Sequence, residues 1–136
     1  MPDISPLKAA TDALAYGRRI QSGQIRAISE NIANADSVPA DPSGTPYTRK
    51  IAVFQPVDVD KAREPVGRIV RDSGDFRRRY DPSNAAADRQ GYVRLPNVNV
   101  ALESADLQRV IRNYELNLSA EASIDAVSRA TLNLLG

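Results

Sequence analysis

The chain has 136 residues, 42% of them hydrophobic, and its aromatics are limited to 5 Tyr and 2 Phe with no Trp, so it has room for one ordinary domain built on Ile, Leu, Val and Ala. With 18 Lys+Arg against 17 Asp+Glu the formal charge is +1, and no whole-protein field draws the chain to nucleic acid or anionic lipid. Zero Cys and zero His remove disulfides, thiol nucleophiles, and the commonest general base and metal ligand. No apolar run reaches the roughly 18 residues of a membrane span, and the opening residues have neither the basic nor the apolar region of a cleaved signal peptide.

Proline divides the chain in three, being absent from Leu7 to Val38 and again from Asn97 onward. The two ends can be helical, and the middle cannot be one long helix. In the first segment Leu7, Ala10, Leu14, Ile25, Ile28, Ile32 and Ala35 share one side of a helix, with Gly17 and Gln21 as weak points. A second set, Ala9, Ala13, Tyr16, Ile20 and Ala27, lies along another side. One partner helix cannot cover both.

The middle alternates. Tyr47, Ile51, Val53, Val57 and Val59 predict a half-buried strand or hairpin, broken or edged at Pro56. Arg77–Tyr80 and Tyr92–Leu95 alternate in the same way, and Asp81-Pro82, Asn84 and Gly91 supply the turns between them. Residues 36–46 read as an exposed loop. In the last segment Leu107, Val110, Ile111, Tyr114 and Leu118 form a stripe, whereas Ile124, Val127, Leu134 and Leu135 cluster on a displaced side, which predicts that the helix changes partners midway.

The fold class expected is α+β: two long terminal helices packed as an antiparallel coiled-coil-like pair, with a small β-rich middle region. Residues 1–36 and 100–136 form the helical unit and 37–99 the β-rich one. A final helix of about 50 Å overhangs a compact chain of this size, whose radius of gyration is about 14 Å. Its uncovered apolar sides ask for other subunits.

The chemical candidates are few. Asp58/Asp60 and Asp72/Asp75 are close acidic pairs among turn signals without calcium-loop spacing, so no metal or cofactor site is expected. The run Arg77-Arg78-Arg79 is nearly neutralised by Asp72, Asp75 and Asp81, so no nucleic-acid site is expected either. Asn31 and Asn34 suit a helix end, where Asn tolerates the left-handed conformation and caps backbone groups.

Beyond these local readings, the stretch ENIANADS at Glu30 to Ser37 resembles the Asn-Ile-Ala-Asn signature that closes the first helix of flagellar rod and hook proteins. PYTRK at Pro46 to Lys50, YDP at Tyr80 to Pro82, GYVRLPNVNV at Gly91 to Val100, and RNYELNL at Arg112 to Leu118 follow in the same order. Together they cover nearly the whole chain, which is similar to bacterial flagellar basal-body rod proteins of the proximal-rod, C type. The motif residues carried over are Asn31, Ile32, Ala33, Asn34, Tyr47, Tyr80, Asp81, Pro82, Gly91, Tyr92, Pro96, Asn97, Asn99, Tyr114 and Asn117. Tyr16, Ile20, Ile124, Val127, Leu134 and Leu135 are the candidates for subunit contacts.

The resemblance implies a structural, non-enzymatic axial subunit of the rod, with another flagellar rod or hook-family axial protein as the alternative. It implies export through the flagellar type III apparatus without a cleaved signal, and a place in the periplasm-spanning rod of the basal body. The implied partners are copies of itself, other rod proteins, a rod-to-membrane-ring adaptor and the membrane ring. The implied layout puts the terminal helices around the export channel and makes the rod carry torque from rotor to hook. Asn113, Asn117, Ser119, Ser123 and Asn133 are the expected polar channel wall.

Overall fold

In the computed structural model, residues 5–54 and 67–135 are described. The elements run α1 (Ser5–Ala33), β1 (Lys50–Phe54), β2 (Gly67–Arg71), β3 (Arg77–Tyr80), β4 (Tyr92–Leu95) and α2 (Val100–Leu135). The helices pack on one another, and the strands form two separate antiparallel hairpins, β1–β2 and β3–β4. The α+β expectation holds.

The two helices meet along a seam of heptad spacing. On α1 the half-buried and buried positions include Leu7, Ala10, Leu14, Gly17, Gln21, Gln24, Ile28 and Asn31, in strict steps of three and four that Ala35 continues just past the helix end. On α2 the matching line is Glu103, Leu107, Val110, Tyr114, Asn117, Glu121, Ile124, Ser128 and Thr131. A period of 3.5 keeps one line facing its partner over the full length.

Cross-helix pairs fix the antiparallel register. Asn117 Nδ2 donates to Gln21 Oε1 at 3.0 Å, and Arg18 Nη2 pairs with Glu121 Oε2 at 2.8 Å. A Cβ on Gly17 would stand 3.0 Å from Asn117 Nδ2, so the glycine admits the amide to the seam. What weakened the apolar pattern of α1, Gly17 and Gln21, is what receives Asn117.

The expected midway change of partner does not occur within the chain. The seam passes straight through Ile124, while Ile111 and Leu118 stand at its flank, Leu118 being 40% exposed. Counting apolar residues alone missed this because Asn117, Glu121, Ser128 and Thr131 occupy seam positions. The second face of α1 also finds a partner at home: Ala27 is buried, and the Phe54 ring of β1 lies where a Cβ on Gly23 would be, 2.8 Å away.

The β1 strand begins later than the alternation predicted, at Lys50. Tyr47 precedes it, and Pro56, Val57 and Val59 lie outside the described residues. Its partner β2 was not anticipated; Lys50 pairs with Arg71 and Phe54 with Gly67 across the ladder. The second hairpin follows expectation, from Arg77 opposite Leu95 to Tyr80 opposite Tyr92. Val93, Leu95, Pro96 and Val98 turn inward to form most of the core with Ala35, Ala86 and Val110.

The turn of this hairpin is built around Asp88 and Gly91. Asp88 Oδ1 accepts from the Gln90 and Tyr92 amides at 2.9 and 3.0 Å, and the Gly91 amide donates to Asp88 O at 2.9 Å. Gly91 has φ 85°, and a Cβ there would come within 2.8 Å of Tyr80 Cε2 and 3.1 Å of Pro82 Cβ. Both the backbone and the edge-to-face Tyr80–Tyr92 pair, with ring centroids 5.3 Å apart, oppose a side chain. Gly91→Ala should lower unfolding stability by about 2 kcal/mol, read as a drop in the urea midpoint.

A buried polar joint as the candidate functional site

Three of the motif residues, Asn31, Tyr47 and Asn97, converge at the junction of the helix pair and the strands. Asn31 is fully buried, facing Glu103 of α2, which is 1% exposed. Its Nδ2 donates to Glu103 Oε2 and to Lys50 O, each at 2.9 Å. Its Oδ1 accepts from Tyr47 OH at 2.9 Å and from the Lys50 amide at 2.8 Å. One amide side chain thereby uses all four of its hydrogen-bonding positions and ties α1 to α2 and to the start of β1.

Arg49 carries the connection outward. Its Nε donates to Glu103 Oε1 at 2.5 Å and its Nη1 to Asp72 Oδ2 at 3.2 Å, just beyond β2. The Arg49 amide donates to Asn97 Oδ1 at 2.8 Å, and Asn97 Nδ2 reaches Asp72 O and Gly74 O at 3.3 and 3.2 Å. Burial works against the Arg49 charge, but its hydrogen bonds and attraction to Glu103 and Asp72 outweigh it and leave the guanidinium more basic than usual. Burial pushes the Tyr47 hydroxyl up, keeping it a neutral donor. Lys50 Nζ bonds Glu30 at 2.5 Å, which raises the ammonium's pKa.

The remaining motif residues are local fasteners. Asn34 Nδ2 donates back to Glu30 O at 2.8 Å, and no non-glycine residue among those described has positive φ, so Asn34 does not close α1 through a left-handed turn. It serves the last turn through that side-chain bond instead, and Arg77 fastens the segment just past the helix, its Nη2 donating to Ala35 O at 2.7 Å and its Nε to Pro96 O at 3.0 Å. Asn99 caps α2: its Oδ1 accepts from the Ala101 and Leu102 amides at 3.1 and 3.2 Å. Asp81 accepts from Ser83 and Asn84 in the turn after β3.

Ile32 is half-buried and Ala33 exposed at the end of α1, and Pro82 is exposed in the turn. Tyr114 and Asn117 lie on the seam, away from the joint. Of the subunit-contact candidates, Tyr16, Ile20 and Ile124 are half-buried, whereas Val127, Leu134 and Leu135 are exposed. The sequence reading missed Glu103, Arg49 and Asp72 as members of one network. For Glu103 the signal was positional, an acid at a seam position three residues into a helix that Asn99 caps.

The joint's charges are mutually engaged, Arg49 lying between Glu103 and Asp72 and Lys50 on Glu30. No group of three or more His, Cys, Asp or Glu able to hold a metal occurs among the described residues, and no helix among them is long and apolar enough to cross a membrane. The Arg run is exposed but engaged by its own neighbours: Arg78 pairs with Asp88 at 2.8 Å and covers the Tyr92 ring, and Arg79 approaches Asp81 at 3.7 Å.

Acid should loosen this joint at Asp72. The Gly74 amide donates to its carboxylate at 2.8 Å, holding its pKa below the ordinary 3.8, with the Arg49 pair acting in the same direction. A depressed folded-state value stabilises the fold above pH 3.8 and loses that contribution as pH falls through the folded value. Asp72→Asn should therefore be less stable than the parent at pH 7 and should show a shallower loss of stability below about pH 4, measured by urea titration across pH.

No family model matches the chain. Among curated proteins, it is 39% identical to the flagellar basal-body rod protein FlgC of Agrobacterium fabrum over 136 aligned positions, covering 97% of each chain. It is 38% identical to the same-named protein of Aquifex aeolicus, over 82% of this chain and 84% of that one. With FlgC of Salmonella typhimurium it shares 33% identity, over 84% and 87% respectively. With its paired terminal helices and its Asn31-centred joint, the chain belongs to the FlgC family of flagellar basal-body rod proteins.

Proposed function

We propose that the chain is a structural, non-enzymatic subunit of the proximal rod in the flagellar basal body, built into a helical tube with copies of itself and other rod proteins. The observation that carries this reading is the surface of α2. Leu116, Leu132, Leu134 and Leu135 are each more than 60% exposed and Val127 is 54% exposed, on a helix whose seam is already occupied by α1. Leu116, Val127 and Leu134 fall on one flank of the seam, and Leu118 and Leu132, two heptads apart, on the other. Two apolar flanks on one helix suit a wall in which each helix pair has neighbours on both sides.

The outermost line of α2, Ser119, Ala126 and Asn133, is exposed and small or polar. It is the segment proposed to face the export channel, with Ser123 and Asn113 beside it; Asn117 is engaged in the seam with Gln21. Export through the type III apparatus without a cleaved signal, contact with a membrane-ring adaptor, and torque transmission belong to the same proposal. A joint in which Asn31, Arg49 and Glu103 lock helices to strands supports the last of these, because load passes through paired charges and hydrogen bonds instead of a hinge.

Cells lacking the chain should be non-motile and yield basal bodies without a completed rod, and a plasmid-borne copy should restore both. Rods of normal length in purified basal bodies from the deletion strain would overturn this reading.

A further inference from the structure

A groove of about 540 Å³ runs between α1 and the β1–β2 hairpin. Its floor is apolar, formed by Gly23, Ala27, Ala52 and Phe54, and Ile69 at its edge is 54% exposed. Its rims are basic. Among the described residues Arg19, Arg26, Lys50 and Arg68 line it with Glu30 as the only acid, and Glu30 is already engaged by Lys50. Among the described residues Arg26 and Arg68 make no ion pair, and a second depression containing Ser22 and Tyr114 adjoins the groove at Arg26. An apolar floor between guanidinium rims suits an apolar side chain flanked by carboxylates.

The same chain carries that arrangement elsewhere. On the flank of α2 that includes Leu118 lie Glu115, Leu118, Ala122 and Asp125, all exposed and spaced three or four apart. Glu115 and Asp125 make no ion pair among the described residues, unlike Asp106, which pairs with Arg109, and Glu121, which pairs with Arg18. The two carboxylates are about 15 Å apart along the axis, with Leu118 and Ala122 between them. Arg26 on α1 and Arg68 on β2 offer one guanidinium from each side of the groove to such a pair.

We propose that the groove between α1 and the β1–β2 hairpin receives the Glu115–Asp125 face of α2 from a second copy of the chain. The contact joins two different surfaces, so it is heterologous and propagates from copy to copy instead of closing into a symmetric dimer. It gives the helical assembly a direction, because each copy offers a groove on one side and an acidic helix flank on another. Leu118 fills the apolar floor while Arg26 and Arg68 take the carboxylates. The proposal rests on the reading of the chain as a rod subunit and names the surfaces through which like copies meet.

The absence of Cys makes the test direct. Two differently tagged copies, one Ile69→Cys and one Ala122→Cys, are expressed together, and their basal bodies are oxidised mildly. A disulfide needs Cα atoms within about 7 Å, so a mixed dimer carrying both tags is expected, and neither variant alone should form one. In parallel, Arg26→Glu with Arg68→Glu should cut the yield of rods about tenfold through like-charge contact, and adding Glu115→Arg with Asp125→Arg should restore it. If both Cys variants are recovered in basal bodies without a mixed dimer, or if Ala122→Cys is captured by a different rod protein, the proposal is overturned. A rod built normally without the chain would instead overturn the rod-subunit reading itself.

Discussion

Asn31→Leu should cost the subunit about 4 kcal/mol, a large share of the roughly 5–15 kcal/mol that holds a small domain together. The substitution fills similar volume, so the loss comes from partners rather than from a cavity. Glu103 Oε2, Tyr47 OH, and the Lys50 amide and carbonyl each lose a bond at once. Glu103 would keep only Arg49, and at 1% exposure it has no water to turn to. Asn31→Asp should be as damaging, because a second carboxylate would face Glu103. The neighbouring Asn34→Ala removes a single bond to Glu30 O from a half-buried side chain and should cost under about 1 kcal/mol. Urea denaturation of the three variants followed by circular dichroism checks the order; an Asn34→Ala loss equal to that of Asn31→Leu would show that the joint does not centre on Asn31.

Leu134→Asp is expected to separate folding from assembly. The residue is 88% exposed, so the isolated subunit should keep its stability within about 0.5 kcal/mol. If the flank of Leu116, Val127 and Leu134 meets a neighbour, a carboxylate buried there without a partner should cost several kcal/mol per contact and abolish swimming. Val110→Asp is the contrasting change: Val110 is buried in the seam, so the fold itself should fail. The measurements are urea midpoint, amount exported and swimming-ring diameter. Normal swimming in Leu134→Asp cells that export the protein normally would remove the case for this flank as an interface.

Elements that depend on local pattern were legible in the sequence. Alternation revealed β3 and β4, and Asp81-Pro82 and Gly91 revealed the turns, because a period of two and a positive φ leave their mark within a few residues. Gly67–Arg71 left no such mark: its two apolar residues are adjacent, and it becomes a strand by pairing with β1. The helices were legible, but the line along which they meet was not. Asn117 and Glu121 read as solvent-facing residues until Gln21 and Arg18 are brought opposite them. Similarly, Asn31 stood out through its motif, whereas Glu103, 72 positions later, has nothing local to distinguish it from the other acids of its helix. Its role arises only when the chain closes on itself.

The joint sits at one end of α2, and this has a mechanical consequence. Glu103 is held at the fourth residue of a 36-residue helix, while the far end is supported by the half-buried seam alone, through Ile124, Ser128 and Thr131. The helix is a beam clamped at its root. Over its length of about 54 Å, a tilt of one degree moves the tip by about 1 Å while leaving the root in place. In the proposed rod such a beam lets the apolar tip residues settle against neighbours at slightly unequal spacings, while the root holds each copy's strands fixed relative to its helix pair. A tube can then bend or accept an imperfectly repeating lattice by adjusting its tips, without reopening the charged lock at Arg49 and Glu103.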